Sequence, residues 1–204
     1  MKCNSRPKTL LVALLAISLL ATGCTAQWIS VALADLPVLL QMALNIGSLV
    51  TTLQSGQQLS ASEAQAIQNI SAEASKDLNL LQTLYNQYQV NPTASALQKI
   101  QSTVADISQN LPALLQAAHI GDPVLAARMS SAVNLILATV TSFAALIPQA
   151  SGMPTGRIAA VAPTGKKKTT IPQAQDLKKQ WNQTVCGTTG KASLDSAFSV
   201  CPLK

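Results

Sequence analysis

The chain has 204 residues, a formal net charge of +6 and a pI near 9.3, yet only 11% charged residues, 3% aromatic residues and a single histidine. This Ala-, Leu-, Ser- and Gln-rich mixture favours helix over sheet, and it leaves any Ser-His-Asp or Cys-His catalytic arrangement dependent on His119 alone. The charge is unevenly placed: residues 24–147 hold three bases against six acids, whereas 148–204 hold eight bases against two acids, so a basic tail follows a mildly acidic body.

The N-terminal "MKCNSRPK" carries Lys2, Arg6 and Lys8 and is followed by the uncharged run "TLLVALLAISLLA" and then by small residues. That is the three-part layout of a secretory signal, and the run is shorter than the roughly 20 residues a membrane-spanning helix needs. Residues 1–23 are therefore set aside as a signal peptide, and the 181 residues that remain suit one domain plus a tail.

The stretch "LATGC" at 20–24 resembles the lipobox of bacterial lipoproteins, in which a small residue precedes a cysteine that is lipidated and becomes the new N-terminus. Thr22, Gly23 and Cys24 fit the pattern; Ala21 departs from it, since Leu is usual there. The resemblance implies acylation of Cys24 and a membrane anchor, for which two acyl chains suffice where one is marginal. By resemblance to enterobacterial sorting, Thr25 in place of Asp favours the outer membrane. The alternative is plain secretion with cleavage after Gly23 or Ala26.

Four helical segments are expected between residues 24 and 147. The first, at 28–54, is apolar except for a narrow polar stripe of Gln41, Asn45, Ser48, Thr52 and Ser55, the face a bundled helix turns to water. Asp35 and Pro37 have the spacing of a helix restart. The second begins at "SASE", where Ser60 and Glu63 stand at capping-box spacing. Ile67, Ile70, Ala74, Leu78, Leu81, Leu84, Tyr85 and Tyr88 line one face of it, and "VNP" at 90–92 ends it. In the third, Leu97, Val104, Leu111 and Ala118 interleave with Ile100, Ile107 and Leu114 in an a/d heptad seam, with a kink expected at Pro112. The fourth starts at "GDPV", with Asp122 as N-cap and Pro123 at the first helical position, and runs to Ile147. Its Ser130, Asn134, Ala138 and Ser142 form a stripe of small or weakly polar residues that lets another helix approach.

Short connections make sequential helices antiparallel, so the fold class expected is all-α: an up-down four-helix bundle. Asp35 and Arg128 then start helices at opposite ends and are expected as separate surface charges. Residues 148–171, rich in Pro, Gly and Thr and carrying a lysine run, read as a flexible linker. In 172–204, Leu177, Trp181 and Val185 at four-residue spacing mark a short helix. It leads into a loop closed by the one cysteine pair left over, Cys186 and Cys201, which requires an oxidising compartment. So small a module needs its disulfide or a docking surface for stability.

No residue pattern marks a catalytic, phosphate-binding or zinc site, and no enzyme activity, metal or cofactor is expected. His119 reads as a helix-terminal residue, Glu73 and Asp77 as solvated charges beside Lys76, and Tyr85 and Tyr88 as core. Lys166, Lys167, Lys168, Lys178 and Lys179 are candidate contacts to an anionic envelope surface. Nucleic acid is not an expected partner, because Trp181 is the only stacking residue near them. The function expected is that of an exported, lipid-anchored, non-enzymatic envelope protein with a structural or protein-interaction role. The alternatives are a membrane-inserting protein using helices one and four, each poor in charge, and a bundle that binds a small ligand in its core.

Overall fold

The computed structural model describes residues 6–147 and 173–204, with side chains from Trp28 onward among the first of these. The described residues form six helices and no strand: α1 (Arg6–Ser55), α2 (Ala61–Val90), α3 (Ala94–Ala117), α4 (Pro123–Leu146), α5 (Ala174–Thr184) and α6 (Ala192–Phe198). Consecutive helices α1 to α4 pack on each other and α4 closes the ring on α1, which is the expected up-down four-helix bundle.

The helix boundaries follow local chemistry. Ser60 caps α2: its hydroxyl accepts from the Glu63 N–H at 3.3 Å and the Glu63 carboxylate returns to the Ser60 N–H at 2.9 Å. Thr93 caps α3 through a bond from the Ala96 N–H, and one Asp122 oxygen accepts from both Val124 and Leu125 at the start of α4. Past the end of α3, His119 adopts a left-handed backbone with φ 44°. It thus occupies the position at which helices commonly stop, one usually given to glycine.

The core takes the faces the periodicity marks. Ile67, Ile70, Ala74, Leu78, Leu81, Leu84 and Tyr85 of α2 are buried, as are Leu97, Ile100, Val104, Ile107 and Leu111 of α3. Tyr88 and Leu114 are half-buried at the edge. At one pole the rings of Trp28 and Tyr85 meet edge to face at 5.5 Å, and Tyr85 meets Phe143 likewise at 6.5 Å.

α1 differs from expectation in two respects. It begins at Arg6, because nothing between Thr9 and Trp28 except Gly23 opposes helix. It also runs through Asp35 and Pro37 without a restart. Pro37 is exposed, so the carbonyl of Leu33 that loses its hydrogen bond lies toward solvent, while buried Leu36, Val38 and Leu39 hold the helix against the core. Pro112 is likewise accommodated inside α3.

The stripe on α4 is only partly covered by the described helices: Asn134 and Ala138 are exposed and Ser130 and Ser142 half-buried. A close approach occurs instead between α1 and α2. A Cβ on Gly47 would stand 2.6 Å from the Ser71 hydroxyl, which donates to the Ala43 carbonyl at 2.7 Å. Glycine is needed at 47 for that contact.

Candidate functional site

The C-terminal residues are part of the same body. α5 packs on α1 and α4, and α6 packs on α1. The marked face of α5 is fully used: Leu177, Trp181 and Val185 are buried, joined by Leu194, Ala197 and Phe198 of α6 and by Leu203. Burial of each large apolar side chain stabilises by about 1.5–3 kcal/mol. The disulfide between Cys186 and Cys201 is present, with Cα atoms 5.6 Å apart. Trp181 lies inside the tail's own packing, its indole N–H donating to the Cys201 carbonyl at 3.1 Å, and has no face free for stacking on a base. Asn45 of α1 donates to that same carbonyl at 3.0 Å, and Asn182 makes a two-way pair with the Leu203 backbone at 2.8 and 2.9 Å.

The seam between α1 and α4 is almost without charge. From Trp28 to Ser55 the only charged residue is Asp35, and from Pro123 to Leu146 the only one is Arg128. Neither is the surface charge expected of it, because the tail packs over both. Asp35 is 2% exposed and accepts from the Ala174 N–H in the first turn of α5, where the N-cap Gln173 makes no side-chain cap bond of its own. Its second oxygen has no partner among the described residues. Burial outweighs that hydrogen bond and raises the carboxyl from its ordinary 3.8 to about 6. Arg128 reaches the other end of α5, donating through Nη1 to the carbonyls of Thr184 at 2.8 Å and Val185 at 3.2 Å, and through Nη2 to Thr188 at 3.0 Å. An anion at the N-terminus and a cation at the C-terminus match the helix dipole and the unpaired backbone groups at both ends.

Two further contacts secure the tail. Lys191 pairs with Asp122 at 2.6 Å, and that contact, with the helix-cap bonds, holds the Asp122 carboxyl below its usual range. Asp195 binds the N–H and hydroxyl of Thr189, which lowers its carboxyl similarly. Gly187 lies so close to the Gln183 carbonyl that an added Cβ would stand at 2.8 Å from it.

The remaining predicted residues are dispersed. Lys178 is half-buried and donates to the Lys204 carbonyl, and Lys179 is exposed beside it. Both line a shallow groove of about 400 Å³ with Gln175, Asn182 and Leu203. Lys166, Lys167, Lys168 and the linker at 148–171 lie outside the described residues, and so does the side chain of Cys24, whose backbone is in α1.

Glu73 pairs with Lys76 at 3.1 Å, but Asp77 is buried rather than solvated. Desolvation first, and then the Glu73 charge, raise its carboxyl above the usual range. The like charge of Asp106 on α3 also reaches Asp77, so Asp77 lies on the side of α2 toward α3, which its position next to Lys76 in sequence does not disclose. His119 is exposed, and the described residues hold no cluster of three His, Cys, Asp or Glu able to bind a metal ion.

No protein-family model, curated protein or solved structure matches this chain.

Proposed function

We propose that the protein is an exported, lipid-anchored and non-enzymatic component of the bacterial cell envelope. Its bundle would be held at the periplasmic or surface face of the outer membrane as a structural or protein-interaction module. The observation that carries this reading is the tripartite leader ending in "LATGC".

The fold agrees with that use. Cys24 lies four residues before Trp28, one of the buried aromatic residues at the pole, so an acyl anchor there would hold the bundle by its α1 end with little free chain between. The Cys186–Cys201 disulfide suits an oxidising compartment. Lys179 on α5, together with Lys166, Lys167 and Lys168 by charge alone, would add attraction to anionic headgroups or wall polymer.

Cell fractionation tests the reading. The wild-type chain is expected in the membrane fraction, resistant to high salt and released by detergent. Replacement Cys24→Ser should abolish acylation, measured as loss of labelled fatty acid from the protein. Membrane-free wild-type protein without label would refute it.

A further inference from the structure

We draw no further inference here: the strongest candidate, the uncharged outer face of α4 along Ala127, Asn134, Ala138, Thr141 and Ala145, is a stripe of small or weakly polar exposed residues, and nothing in the structure shows what covers it.

Discussion

Asp35 of α1 and Arg128 of α4 are joined through α5: the Asp35 carboxylate receives the Ala174 N–H at its start, and the Arg128 guanidinium donates to the carbonyls of Thr184, Val185 and Thr188 at its end. Two residues that would be liabilities in an apolar seam thereby become the fittings for one short helix. Each has a cost that experiment can read.

For Asp35 the cost depends on pH. The folded carboxyl titrates at about 6 against 3.8 in the free side chain, so between those values the folded chain binds the proton more tightly than the unfolded chain. Stability contributed at low pH is therefore lost as pH rises through 6, with an upper bound of about 3 kcal/mol. Buried Asp77, also raised, acts in the same direction. Thermal melts should show Tm falling from pH 5 to pH 7.5 in the wild type and falling less in Asp35→Asn, which keeps an oxygen for the Ala174 N–H without the charge. Equal slopes would remove Asp35 as the source.

Arg128→Ala leaves three tail carbonyls without their charged donor and should cost about 1–3 kcal/mol. Arg128→Lys should recover only part of this, because an ammonium cannot span the three acceptors as the planar fork does. Amide hydrogen exchange is the direct readout: protection should fall in α5 and α6 and persist in α2 and α3.

Loss of the Cys186–Cys201 bond, which closes a separation of 15 residues, should cost about 3 kcal/mol in the chain-entropy description. Cys186→Ser with Cys201→Ser is expected to keep most far-ultraviolet helix signal while exposing Trp181 to quenching by iodide. Unchanged quenching would show that docking alone holds the tail.

Much of the bundle was legible in the sequence because its signals are local. The Ser60–Glu63 box and the Asp122-Pro123 pair define helix starts within a few residues of chain, and the heptad of α3 gives its buried face directly. The roles of Asp35 and Arg128 were not legible for the opposite reason. Arg128 binds backbone groups more than 50 residues away, and the sequence shows no side-chain partner that would reveal it. The same holds for Gly47, although a lone glycine in an apolar helix together with Ser71 on the facing helix is a signal that could have been weighed.

That contact gives a prediction of unusual sign. In an exposed helix Gly→Ala stabilises by about 1 kcal/mol, but at Gly47 the new methyl meets the Ser71 hydroxyl at 2.6 Å. Gly47→Ala should destabilise by about 1–3 kcal/mol through overpacking, and Ser71→Ala in the same chain should restore part of the loss. A denaturant double-mutant cycle measures the coupling.

Tyr85 supplies a stabilising change. It is fully buried, its hydroxyl has no partner among the described residues, and burial holds its ionisation well above the ordinary range. Tyr85→Phe keeps the ring contacts with Trp28 and Phe143 and removes an unsatisfied group, so it should be neutral or stabilise by up to about 1–2 kcal/mol. Tyr85→Ala should cost about 3–5 kcal/mol. A large loss in Tyr85→Phe would reveal a hydrogen bond to that hydroxyl.

The mass of the N-terminal peptide of protein recovered from the membrane fraction tests the proposed tether at the α1 end. A tethered bundle begins at Cys24 and carries added acyl mass. A chain beginning at residue 24 or 27 without added mass would contradict it and leave a secreted bundle instead.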